Sequence, residues 1–357
     1  MEVMDGRTAG DVASPQLRCS ALRKHVLALS GPVFAVLDGA QFENLPDDLL
    51  AAGLIAHGLY RDRGSDGSLE YERTMPRMIA LDGATGRAQA SRRAAVDRLL
   101  NFVVDRATAV FWECPGGPDV LVRHLRSINM VLFPRNDEAA SQRTAHDREE
   151  NGNDGGWYGA DERDASAGEQ GDATEPYEMV VFRHADTDVL AQVLPALDEH
   201  QFARLLGPAS SVLFRSGSAW CDSSNGLVLG RRTAGATQPP GPLRIDDDTK
   251  ARIEDLRLVG GTVAFLRDTN PELTQRLEAE HLRTLVHHWT RDGQARGMRS
   301  ERAMWKWSYL NLVTGGTIGE RSDMRSYLTS DDPTRAVDER VDALMAGAIE
   351  ELEQAVR

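Results

Sequence analysis

Three cysteines in 357 residues, at positions 19, 114 and 221, are too few and too scattered for a disulfide framework or a Cys-x-x-Cys metal site. They predict reduced thiols in a reducing compartment. Long apolar runs are also missing. None approaches the roughly 18–20 residues that span a bilayer, so no membrane insertion is expected. The opening residues, MEVMDGRTAG, are acidic and have no apolar core, so no secretory signal is expected. The expected location is the cytoplasm. Positive charge is in deficit, with a formal net charge of −14. That argues against a general binder of nucleic acid or of anionic membranes.

Catalytic signatures are absent as well. There is no glycine-rich dinucleotide loop, no P-loop, no Gly-x-Ser-x-Gly elbow, no His-Glu-x-x-His and no calcium-binding loop. His287 and His288 are adjacent, so on a helix they point about 100° apart and do not share a metal easily. His281 lies two turns from His288 with no ligand between them at suitable spacing. His184 with Asp186 and Asp188 suggests either a ligand cluster or a capped helix start with exposed acids, and the second reading needs fewer assumptions. No catalytic residue, no metal and no cofactor is therefore expected.

What is present reads as α/β. Val33 to Leu37 is an unbroken apolar run, the pattern of a strand buried on both faces. Asp38-Gly39 ends it as a turn pair. Asn44, Pro46, Asp47 and Asp48 set up a short helix over Leu49–Ala52, Gly53 stops it, and Ile55–Tyr60 reads as a second strand. Further strands are expected at Pro76–Leu81, Ala109–Trp112, Met130–Pro134, Met179–Arg183 and Val212–Phe214, with an edge strand at Leu227–Leu229. Helices are expected over Arg18–Leu29, over Val96–Arg106 and after Gly117-Pro118-Asp119, where Arg123, His124 and Arg126 fall mostly on the outer side. Asp186 is placed to cap a helix from Thr187, Pro195 to break it, and Asp198 with Gln201 to form a capping box for the next.

One segment breaks the pattern. Residues 137–175 contain no Val, Ile, Leu or Met, and twelve acids against three arginines, so nine of the fourteen excess negative charges lie there. Such a segment cannot offset its ordering entropy by burying apolar surface, and it reads as a disordered acidic insertion. Trp157-Tyr158 is its one apolar spot.

Residues 231–246, rich in Gly and Pro, read as a linker. Everything beyond reads as helical: Asp247–Arg267, with an interruption expected at Gly260-Gly261, a helix after Asn270-Pro271, one carrying Leu282, Leu285, Val286 and Trp289, one started by Ser300 that carries Trp305 and Trp307, and a last one from about Pro333. The expected organisation is a lead-in over 1–30, an α/β domain with a mixed sheet and flanking helices over 31–230, the linker 231–246, and an all-α C-terminal lobe over 247–357.

Two stretches carry a family resemblance. The first is the apolar strand ending Leu37-Asp38-Gly39-Ala40, followed by a short helix and a strand ending Leu59-Tyr60. The second is Phe182-Arg183, Asp186, Leu190, Leu194-Pro195, Asp198 and Gly207-Pro208 in order. Together they resemble the domain-of-unknown-function family 4123, over roughly residues 32–230. Ala185 and Thr187 depart from the family's usual aromatic and Pro around the Asp, and the acidic insertion lengthens a connection that is normally short. The Trp-bearing C-terminal helices resemble that family's tail loosely.

The resemblance implies a non-enzymatic bacterial adaptor chaperone. Such a chaperone binds an effector of the type VI secretion system and helps load it onto the trimeric spike protein VgrG. Its candidate partner-binding residues are Asp38, Gln41, Arg183, Asp186, Trp305 and Trp307. Asp38, Arg183 and Asp186 sit at expected strand ends, where functional groups gather in open sheets. An internal ion pair with a cap, direct partner contact and catalysis all fit that position. Two other functions stay open: an enzyme using Asp38 and Asp186, and a toxin-sequestering binding protein.

Overall fold

The structure is a computed structural model. It describes residues 15–60, 73–82, 88–103, 106, 108–135, 176–217, 219–221, 226–233, 241–329 and 335–356. The acidic segment 137–175, with Trp157 and Tyr158, lies outside these residues, as do positions 1–14.

Among the described residues six strands form the main sheet: β1 (Val33–Leu37), β2 (Ala56–Gly58), β3 (Arg77–Ala80), β4 (Ala109–Glu113), β7 (Ser211–Arg215) and β8 (Leu227–Arg231). Their order is β2-β3-β1-β4-β7-β8 and every ladder is antiparallel. Strands β1, β4 and β7 are buried at all five positions. The two-residue period of a strand then sorts their side chains between two cores. Phe34, Val36, Val110, Trp112, Val212 and Phe214 face one. Val33, Ala35, Leu37, Ala109, Phe111 and Leu213 face the other. Helices α4 (Pro118–Ser127), α5 (Thr187–Val193) and α6 (Glu199–Leu206) cover the first face through Leu121, Leu125, Leu190 and Leu205. Helices α1 (Pro15–Ala28), α2 (Leu45–Ala51) and α3 (Ala88–Phe102) cover the second through Leu22, Val26, Leu49 and Leu99. The result is the α/β architecture expected, in three layers.

Several elements differ from the expectation. The second strand is only three residues long and lies at the sheet edge, with β3 inserted between it and β1. The sheet is also not single. β5 (Met130–Pro134) pairs antiparallel with β6 (Tyr177–Val181) and parallel with β9 (Leu243–Arg244), as a separate three-stranded sheet. β9 lies inside the stretch read as a linker, because Leu243 and Ile245 are buried in the first core. His124 is buried rather than outward, with its Nε2–H donating to the Leu205 carbonyl at 2.7 Å.

The helical C-terminal region comprises α7 (Asp247–Thr269), α8 (Pro271–Thr274), α9 (Ala279–Ala295), α10 (Glu301–Val313), α11 (Ser322–Leu328) and α12 (Val337–Val356). α7 runs through Gly260-Gly261 without a break. Gly260 is there for proximity: a Cβ at this position would stand 2.2 Å from the Trp220 ring, so only glycine lets that indole lie against the helix. α7 also packs on α5 and β5, which ties the helical region to the sheet region.

Candidate functional site

The site forms where β1 and β6 end. Asp38 follows β1 and uses one carboxylate oxygen to accept from the Ala40 N–H at 3.1 Å, capping the single turn Gly39–Gln41. Gly39 has no room for a side chain, since a Cβ would stand 2.6 Å from the carbonyl oxygens of Arg73 and Met75. The other Asp38 oxygen receives Arg183 Nη2 at 2.5 Å and Nε at 3.2 Å.

Arg183 is set by its neighbours. Phe182 is buried in the first core, and its N–H extends the β5–β6 ladder to the Asn129 carbonyl. The chain then turns, with Asp186 N–H donating to the Arg183 carbonyl at 2.9 Å. Asp186 caps α5 by accepting from the N–H groups of Asp188 (2.9 Å) and Val189 (3.3 Å). Its second oxygen lies 3.3 Å from Arg183 Nη2. Partial burial opposes the Arg183 charge. The Asp38 hydrogen bonds and the charges of Asp38 and Asp186 outweigh it and push the pKa up. The exposure is lopsided: the side chain of Asp38 is 5% exposed and that of Arg183 49%.

A polar trio lies beside the pair. Tyr60 O–H donates to Asn129 Oδ1 at 2.8 Å, and His184 Nε2 lies 2.7 Å from the same hydroxyl. With the Tyr60 proton on Asn129, the His184 Nε2–H donates to the Tyr60 oxygen. Nδ1 is buried and makes no hydrogen bond to another residue among those described. Burial, and after it the charge of His124, pushes the His184 pKa down to about 4, so the ring is neutral at pH 7. Burial likewise lowers His124 to about 4.

These groups line an open groove of about 590 Å³. Asp38, Tyr60, Arg126, Arg183 and His184 supply its polar wall, and Met75, Pro76, Val181 and Phe182 its apolar wall. Arg126 is exposed and donates Nε to the Leu59 carbonyl at 2.5 Å.

The structure therefore brings Asp38, Arg183 and Asp186 together. Gln41 sits one turn on and is not part of the groove lining; its carbonyl accepts from Arg106 at 3.3 Å. Trp305 and Trp307 lie on α10, away from this groove. Trp307 is fully buried and donates Nε1 to Asp292 at 3.1 Å. Trp305 is half-buried and stacks on Phe265, with centroids 5.4 Å apart. The capping reading of 184–188 holds, but the acids are not exposed. Asp186 is buried, and Asp188 accepts from Gly217 N–H at 3.0 Å with its pKa raised by burial. Tyr60, Asn129, Arg126 and His184 were not among the expected partner-binding residues. Tyr60, at the end of the first resemblance stretch, and His184, singled out with Asp186 and Asp188, carried a signal; Asn129 and Arg126 did not.

Compared with known proteins, the chain matches no family model, no curated sequence and no solved structure.

Proposed function

We propose that this chain is a non-enzymatic adaptor that holds another protein, and that the held protein is a type VI secretion effector on its way to a VgrG-type spike, in the bacterial cytoplasm. One observation supports this reading above the others. The two stretches that carry the resemblance, 145 residues apart in the chain, meet side chain to side chain as the Asp38–Arg183 pair at the rim of one groove. The groove is open, mostly apolar and edged by sheet strands, which suits an extended or helical segment of a polypeptide. Both acids are already engaged, Asp38 with Arg183 and Ala40, Asp186 with two backbone N–H groups and Arg183.

The test is co-expression with the protein encoded beside it, followed by tag capture and size exclusion with light scattering. A stable complex, with the neighbour insoluble when alone, is expected. A neighbour that is soluble alone and never co-elutes overturns the reading. A complex that forms but is not passed to the spike protein in a three-component capture favours the toxin-sequestering alternative.

A second reading is favoured by His184. His184 lines the groove with a buried, neutral ring whose Nδ1 bonds nothing among the described residues and is closed to solvent, so an enzyme would have to open the wall to use it as a proton acceptor. Turnover that Asp38→Asn and His184→Gln both abolish, with the fold intact, would move the function to that class.

A further inference from the structure

We infer that the outer edge of β6, with the groove at its end, takes an extended segment of the partner polypeptide as an added strand. That segment is apolar where it crosses β6 and carries a carboxylate that meets Arg126. The inference rests on the adaptor reading and names how the adaptor would grip.

The first ground is the ladder. Among the described residues β6 pairs with β5 alone and is the end strand of its sheet. Phe182 N–H donates to the Asn129 carbonyl, and Arg135 N–H to the Pro176 carbonyl. Those two bonds set the phase of an antiparallel pair. Glu178 and Val180 face β5, so Tyr177, Met179 and Val181 direct their N–H and C=O groups outward. Among the described residues nothing bonds those six groups. They form a three-rung template of the kind that added strands use.

The second ground is the surface along that edge. Met179 is 51% exposed and Val181 67%, two of the most exposed large apolar residues among those described. They share one face of β6, beside half-buried Met130 and Leu132 on β5. Natural edges are commonly blunted with Lys, Pro or a bulge. This one carries none of these within Tyr177–Val181.

The third ground is charge. Val181 ends β6 and itself lines the groove, so a strand laid on this edge continues into it. There Arg183 is held by two carboxylates, Asp38 and Asp186, while Arg126 pairs with no carboxylate among the described residues. The Arg126 guanidinium selects a carboxylate on the incoming segment, from an Asp, a Glu or a chain end. The overall charge of −14 disfavours a second copy of this chain on the same edge. Distant acids weigh less on the segment itself, because fields between exposed charges fade beyond about 8–10 Å at physiological salt.

The experiment uses the full chain and the partner recovered with it. Residue-resolved amide exchange by NMR is run on the free chain and on the complex. In the free chain, the amides of Tyr177, Met179 and Val181 should exchange fast and those of Glu178 and Val180 slowly. In the complex, the three fast ones should slow at least tenfold. Met179→Pro removes an outward N–H without touching the β5 ladder, and should weaken binding at least tenfold. The paired change Met179→Lys with Val181→Lys, which needs no proline geometry, should do the same, and Arg126→Glu should weaken binding and flatten its salt dependence.

A complex that forms while the three amides stay fast and the variants bind like wild type overturns strand addition and leaves the adaptor reading standing. Slow amides in the free chain, or slowing that grows with concentration as a dimer forms, overturn it in favour of a segment of this chain or a second copy. A chain that captures no partner overturns both.

Discussion

The Asp38–Arg183 pair separates an internal brace from a free contact through an asymmetry that can be worked out beforehand. Asp38 is 5% exposed and Arg183 49%, so the two partners have different fates when abandoned. Asp38→Asn keeps the shape and the oxygen that caps Ala40, and loses one charge-assisted pair. Such a bond is worth about 1.5–3 kcal/mol, and the exposure of Arg183 pulls it toward the low end, about 1.5 kcal/mol. Asp38→Ala also loses the cap, for about 1 kcal/mol more. Arg183→Met is the costly change, because it leaves a buried carboxylate with Ala40 N–H as its remaining partner; about 3 kcal/mol is expected. The double variant, Asp38→Asn combined with Arg183→Met, should recover part of this, giving a coupling energy of about 1–2 kcal/mol. Urea unfolding of wild type, Asp38→Asn, Arg183→Met and the double variant at one pH measures the cycle, provided the slopes agree. The reasoning is refuted if Arg183→Met costs less than Asp38→Asn, or if the coupling is below about 0.3 kcal/mol. Either result would mean that the pair does not brace the strand ends and that its charges are free for a partner.

Other outcomes follow from the same structure. Glu113 is buried, which raises its pKa, but hydrogen bonds from Gly31, Ser210, Ser211 and Ser30 outweigh burial and leave it below the ordinary 4.5. Its contribution is therefore present above pH 4.5 and lost as pH falls through the lower folded value, so Glu113→Gln should be destabilised at pH 7 and show a shallower acid loss in urea midpoints. The two buried histidines act over the range between the ordinary 6.5 and their folded pKa of about 4. The unfolded chain binds protons there that the fold does not, so stability falls as pH drops from 6.5 to 4, by roughly 3 kcal/mol for each ring. His184→Gln should remove about half of that pH dependence in urea midpoints; an unchanged slope refutes it. Gly260→Ala should cost about 1–3 kcal/mol by overpacking against Trp220, and Trp220→Ala should reduce that cost in the double variant. Deleting residues 137–175 should slow partner association and flatten its salt dependence in stopped-flow measurements; an unchanged on-rate refutes a steering role.

The legible parts of the fold were those with strong local chemistry. β1, β4 and β7 were visible as apolar runs, and each is buried at every position. The caps were visible because their residues act within three or four positions: Asp186 on α5, Asp198 with Gln201 on α6, Asn270 on α8, and Ser300 on α10, which accepts from Ala303 N–H at 3.2 Å. β9 was not visible. It is two residues long in a Gly/Pro-rich stretch and exists because β5 offers Leu243 an edge and the core offers it a place. His124 looked outward beside two arginines, yet it packs against Gly207, whose bare backbone leaves room for the ring.

For the site, sequence placed Asp38, Arg183 and Asp186 at strand ends and left open which of them met. The ion pair, the trio of Tyr60, Asn129 and His184, and the edge position of β6 among the described strands join residues 69 to 145 positions apart, or depend on which strand lies next to which. By itself the sequence determined the strand runs, the helix starts and the α/β-then-helical order, because hydrophobic period and capping act over one to four residues. Only the tertiary structure decided the split into two sheets, the place of β6 at the edge of the second among the described residues, and the pairing of Asp38 with Arg183. Strand order and long-range contacts are settled by how two cores fill, and no local pattern records that competition.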